Sequence, residues 1–143
     1  MIFCEISREK GRIKEESVEK WAKDIFKFLK IKDAGISIAI VDNEIIKKIN
    51  KKYRNKNKPT DVLSFSERDS MNFPKFAKNF LGEIIISWEK TVEEAKEDKE
   101  TTEETFKKLL THGILHLLGY DHEKNKLEEK KMLELQGKIL KKI

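Results

Sequence analysis

The sequence predicts a single α+β domain, a mixed sheet of about four strands packed with helices, with a metal site on a buried helix and the turn after it. Three observations carry that expectation. Short β-branched runs alternate with segments of helical periodicity. A length of 143 residues suits one domain with its own core. All three histidines fall between positions 112 and 122.

Taken in order, Phe3 to Ile6 reads as a first short strand, and Ile36 to Val41 as a second after a break at Gly35. Between them Val18, Trp21, Ala22, Ile25, Phe26, Phe28 and Leu29 recur at helical spacing and leave Glu19, Lys20, Lys23 and Lys27 for solvent. Asp42 is placed to cap the next helix, which buries Ile45, Ile46 and Ile49 and is stopped by Pro59. Val62 to Phe65 and Glu83 to Ser87 are two further strands, with Gly82 at the start of the fourth and a loop holding Asp69, Asn72 and Pro74 between them. An acidic helix begins at about Ser87 and ends near Asp98. Thr101-Thr-Glu-Glu104 has the spacing of a capping box and opens a helix running to about Leu118. A last helix follows Asp121, with Leu127, Met132, Leu133, Leu135, Ile139 and Leu140 over the core, although these fit one stripe only loosely. No repeat, linker or internal boundary interrupts residues 1–143.

With 38% hydrophobic and 40% charged residues, the chain has material for a core under a surface rich in Lys and Glu. Ion-pair networks at high temperature and a bias toward Lys both account for that surface. Cys4, the only cysteine, excludes a disulfide framework and a multi-cysteine zinc cluster, and reads as a small buried strand residue. The absence of a signal-like start or a long apolar run points to the cytoplasm and away from membranes. The net charge of +5 is unevenly spread. Lys47 to Lys58 holds seven basic residues and no acid, whereas Glu89 to Glu104 holds eight acids and three lysines. One side should attract anions.

His112 and His116 are four apart, so a helix sets both rings on one face, where a single metal ion accepts both. A continuous helix would carry His122 about 15 Å from His112, so the chain must bend back, and Gly119 stands where a helix-ending glycine is needed. The helix from Phe106 to Leu118 is apolar almost all round, which makes it a buried element. Three imidazoles leave one open position on a tetrahedral ion, the arrangement of a catalytic rather than a structural site. One zinc ion suits three neutral nitrogens best, while nickel, copper and cobalt fit the same ligands. Asp121 reads either as an acceptor orienting a ligand ring or as a helix cap. Gly113 occupies the place of the glutamate base in His-Glu-x-x-His peptidases. It either makes room for a large substrate or lets two elements pack closely.

The run from Ile46 to Pro59 interleaves positive charge with Tyr53 and several amides, as phosphate binding requires, although lysines alone also describe a solvated helix face. Arg54 stands out there, because a guanidinium grips phosphate with two prongs and an ammonium does not. In Ile49 to Phe65, in Leu81-Gly-Glu-Ile-Ile-Ile-Ser87 and in the histidine block from His112 to His122, the chain closely resembles the YbeY family of bacterial endoribonucleases, which act in ribosomal RNA maturation. Glu83 and Ser66 depart from the usual Asp and Pro of that family. The resemblance implies a zincin-like domain, one metal ion on the three histidines, and an arginine matching Arg54 in the active cleft. It also implies single-stranded RNA, above all ribosomal RNA, as substrate, and ribosomal proteins as partners. The expectation is therefore one metal-dependent endoribonuclease domain over 1–143, with Arg54 stabilising transition-state charge and Lys51, Lys52 and Lys58 holding the RNA backbone. Two alternatives remain: a metal-dependent hydrolase of peptide or amide bonds, and a ribosome-associated binding protein whose metal is structural.

Overall fold

The computed structural model describes residues 2–8, 11–67, 79–120 and 125–143. Four strands, β1 (Ile2–Arg8), β2 (Ala34–Val41), β3 (Val62–Ser66) and β4 (Phe80–Ser87), form one sheet in the order β1-β2-β4-β3. β1 pairs parallel with β2, β2 parallel with β4, and β3 antiparallel with β4, so the sheet is mixed. The five helices among the described residues are α1 (Glu15–Phe28), α2 (Asn43–Arg54), α3 (Trp88–Glu97), α4 (Thr102–Leu117) and α5 (Lys126–Leu140).

Side-chain alternation along the strands sorts the core into two layers. Ile36, Ile38, Ile40, Ile84 and Ile86 meet Val18, Trp21, Ala22, Ile25 and Phe26 of α1 and the apolar residues of α4 on one face. Val41, Leu63, Phe65 and Ile85 meet Ile46 of α2 on the other, with Ile45 and Ile49 partly buried beside them. The sheet thus lies between α2 and the remaining core helices. α4 is buried along almost its whole length, as its composition requires: Phe106, Leu110, Ile114 and Leu115 are fully enclosed.

Two helix starts follow the expected caps, at Asp42 and Thr101, and a third is capped by Ser87, where the acidic helix was expected to begin. Asp42 accepts from Ile45 N at 2.8 Å, Ser87 Oγ from Lys90 N at 3.2 Å, and Thr101 Oγ1 from Glu104 N at 3.0 Å. Four expectations need correction. Gly35 lies inside β2, at a register shift against β4, and is not a break before the strand. α2 ends at Asn55, whose left-handed backbone (φ 57°) turns the chain so that Lys56 N donates to Asn50 O at 3.3 Å, well before Pro59. Gly82 lies within β4, not at its start. In α5 only Met132 and Ile139 are buried, while Leu127 and Leu133 are 61% and 52% exposed, because the apolar residues do not share one face. The segment with Asp69, Asn72 and Pro74 lies outside the described residues. Cys4, on β1, is only partly buried, yet burial pushes its thiol up to about 11.

Gly82 has φ +145°, and a Cβ there would meet Phe65 O at 2.1 Å. No rotamer relieves a clash with the backbone of the neighbouring strand. Gly82→Ala should therefore lose on the order of 3 kcal/mol of stability in urea denaturation. A midpoint within error of the parent would show that β3 and β4 tolerate separation at this point.

Candidate metal centre and nucleic-acid interface

The centre is built on the last two turns of α4. A spacing of four sets the His112 and His116 rings 4.6 Å apart, edge to face, with their Nε2 atoms 3.1 Å apart. Two nitrogens bound to one tetrahedral ion at about 2.0 to 2.1 Å stand about 3.3 Å apart, so the observed spacing fits a shared cation. The helix ends as expected. Gly119 N bonds His116 O at 3.0 Å and Tyr120 N bonds Leu115 O at 3.1 Å, the paired bonds of a Schellman stop, with Gly119 at φ +99°. Asp121 and His122 lie outside the described residues. The following helix is capped by Asn125, whose Oδ1 accepts from Glu128 N at 2.9 Å, so the cap proposed for Asp121 is supplied by another residue.

Gln136, on α5, was not anticipated. Its Oε1 lies 3.2 Å from His112 Nδ1. An amide oxygen only accepts, so in the tautomer that makes this bond His112 carries its proton on Nδ1 and presents a bare Nε2 toward His116. The one available signal was that Gln136 is the only glutamine of the chain, a weak signal beside the polar residues around it.

Gly113 is decided by contact. A Cβ at this position would stand 2.9 Å from Ile84 Cγ2, so the glycine brings α4 close to β4. That proximity lets Ser64 of β3 reach Gly113 O with its hydroxyl at 3.4 Å. Ser64 O in turn accepts from Arg54 Nη2 at 2.9 Å, and the guanidinium lies over the Phe65 ring, 4.7 Å from its centroid. Tyr53 meets the same ring edge-on at 5.5 Å. Arg54 is thus fixed on the outer strand of the sheet, two hydrogen bonds from the backbone beside His112. Among the described residues, one of its five N–H donors is taken by protein. Lys51 and Lys52 occupy the same last turn of α2, and they, Lys58 and Arg54 are all exposed. A basic last turn also suits the helix dipole, so their charge serves the helix whether or not it meets a ligand. Lys52 Nζ lies 5.2 Å from the Tyr53 ring centre, and Lys58 gives its carbonyl to Asn50 Nδ2 at 2.9 Å. The departure at Glu83 is felt locally: burial, then the charge of Glu5, holds its carboxyl above the usual range.

A family model described as Endoribonuclease YbeY matches residues 3–143. This chain belongs to the YbeY family. The Endoribonuclease YbeY of Aquifex aeolicus is 39% identical over 96% of this chain and 89% of its own length, and that of a Sulfurihydrogenibium species is 44% identical over 90% and 86%. The solution structure of TM1509 from Thermotoga maritima, 31% identical, superposes with a TM-score of 0.65 over 99% of this chain and 88% of that one. The YbeY match spans the Arg54 block and the histidine helix together. Among the described residues no helix is long and apolar enough to cross a membrane.

Beside the histidine pair, a cavity of about 210 Å³ is walled by His112 and Gln136 and by Asp61, Glu94 and Asp98. Burial and then a hydrogen bond with Asp61 raise the Glu94 carboxyl from 4.5 to about 7. Between those values the folded chain keeps a proton that the unfolded chain has released, so stability falls as pH rises through that window. Glu94→Gln should flatten this dependence and gain on its parent at about pH 8 relative to about pH 5 in thermal melts. Parallel curves for the two proteins would contradict the raised carboxyl.

Proposed function

We propose that this chain is an endoribonuclease that hydrolyses phosphodiester bonds of single-stranded RNA, ribosomal RNA above all, in the cytoplasm. His112, His116 and His122 would hold one divalent ion, zinc in the first place. The observation that supports this reading is the tie from Arg54 through Ser64 to Gly113, which links the guanidinium through β3 to the helix that carries two converging imidazoles. Membership of a family named for endoribonuclease activity supports it.

When bound, the ion supplies Lewis acidity at the histidine nitrogens. The protein's own residues do the rest. Arg54, braced against Phe65 and Ser64, offers its remaining donors to a phosphate and stabilises the extra charge that develops as the bond breaks. Lys51, Lys52 and Lys58 hold neighbouring phosphates, and Tyr53, half-exposed, offers a face for a base. Gln136 keeps the His112 proton on Nδ1, away from the ligand nitrogen. Ribosomal proteins are the protein partners that this substrate would bring.

The peptidase reading is weakened by contact. A glutamate base beside the first histidine would place its Cβ into Ile84. A purely structural metal would need a fourth protein ligand in place of an open position.

Incubation of metal-loaded protein with single-stranded RNA and, separately, casein should give RNA cleavage alone. His116→Ala and Arg54→Ala should each lose about a hundredfold or more in rate. Cleavage that survives both substitutions, or of casein instead, rejects the reading. Gln136→Leu should weaken zinc binding about tenfold to a hundredfold, measured by competition with a chromogenic chelator. Unchanged affinity would show that the amide does not orient the ring. RNA affinity should fall about tenfold or more between 50 and 200 mM salt, and a flat response would remove the basic run from the interface.

A further inference from the structure

The cavity beside the histidine pair carries polar groups that the proposed nuclease chemistry does not use. Asp61 stands just before β3, Glu94 lies in α3, Asp98 caps the end of that helix, and Thr105 lies in α4. A hydrogen bond joins the Glu94 and Asp61 carboxyls. The cation on this wall, Lys108, is itself ion-paired with Glu100. Val62 and Leu109 add apolar surface. Among the described residues no group of three or more His, Cys, Asp or Glu side chains is placed to hold a metal ion, so these acids line a wall and do not enclose a cation.

Thr105 is the independent observation. It is 2% exposed and lines the cavity, and its hydroxyl has no hydrogen-bond partner among the described residues. The other two buried helix threonines do not share that condition. Thr91 Oγ1 donates to Ser87 O at 2.7 Å and Thr111 Oγ1 to Lys107 O at 2.8 Å, each four residues back. An enclosed hydroxyl that forgoes this local bond is costly unless a ligand takes it.

The acids, with the carboxyl end of α3 beside them, set a negative potential that turns phosphate away. What the cavity accepts from RNA is therefore a base. Bases of a single strand turn out of the stack and are read along their hydrogen-bonding edges. Guanine presents one acceptor, O6, followed by two donors, N1–H and the 2-amino group. Adenine and cytosine each set one amino group beside acceptors, and uracil sets one N–H between two carbonyls. Carboxylates with a single hydroxyl complement the guanine edge best. We propose that this cavity is a subsite for a guanine of single-stranded RNA, with Glu94 and Asp98 accepting from N1–H and the 2-amino group and Thr105 donating to O6. A volume of about 210 Å³ admits one base, and Val62 and Leu109 offer apolar surface to its ring. The assignment rests on the nuclease reading and deepens it: His112 forms part of the same wall, so a guanine held here selects the phosphodiester that meets the metal centre.

Free guanosine is the first probe, because its binding needs no cleavage. Mixed with adenosine and zinc-loaded protein, guanosine should show a broadened H8 line in proton NMR and adenosine should not. Inosine, which lacks the 2-amino group, should bind about tenfold more weakly. Glu94→Gln should weaken guanosine binding about tenfold, and Thr105→Val, close in shape, about threefold. Among oligoribonucleotides that differ at one nucleotide, guanine should be preferred to adenine about tenfold in kcat/KM. Glu94→Gln should bring that ratio toward one, whereas Lys51→Ala should slow both substrates and keep it. An unbroadened guanosine line overturns the proposal, as does equal broadening of both nucleosides or guanosine binding retained in both variants. Binding of N-acetylarginine amide in place of guanosine also overturns it and gives the cavity to a protein side chain. Cleavage without base preference overturns it and leaves the nuclease reading intact. If no RNA is cleaved, that reading is rejected, and the guanosine line still decides what the cavity binds.

Discussion

The candidate site depends on the close approach of α4 to the sheet at Gly113 and Ile84. Any side chain at 113 would stand against Ile84, a residue with no exposure in the centre of the core. Because the helix lies this close, Ser64 of β3 reaches the Gly113 carbonyl, and the serine's own carbonyl, turned outward, holds Arg54. A larger residue at 113 would push α4 away and part the arginine from the histidines. The packing of a hydrophobic core thus sets the distance between two charged or ligating groups that do not touch.

The second constraint is the helix stop. His116 gives its carbonyl to Gly119 N, so the last histidine on the helix also forms part of the turn that ends it. The positive φ of Gly119, with no described residue within 4 Å of where a Cβ would be, suits a glycine and allows that turn without strain. Gln136 then approaches His112 from α5, which Met132 and Ile139 anchor to the core. Three elements therefore converge on His112: its own helix, the outer strand beside it and the last helix.

Much of this was legible in the sequence because local chemistry decides it. The caps at Asp42 and Thr101, the start of an acidic helix at about Ser87, the buried α4 and the stop at Gly119 each follow from one or a few adjacent residues, and all are found. What was not legible is non-local. Gly35 and Gly82 look like breaks when read along the chain, but their neighbours across the sheet are what determine their role: a register shift in one case, a carbonyl in the other. The two readings of Gly113 could not be separated without knowing that Ile84 faces it. Gln136 and the cavity with Asp61, Glu94 and Thr105 join parts of the chain that share no sequence pattern. Pro59 misled because a stronger stop, Asn55 in the left-handed region, comes first.

The account as a whole requires one ion to be shared by His112, His116 and His122. X-ray absorption at the metal edge of protein loaded with zinc counts those ligands directly. The account predicts three imidazole nitrogens at about 2.0 to 2.1 Å with a further light donor from outside the protein. A shell with two imidazoles, or one closed by a fourth protein ligand, would contradict it.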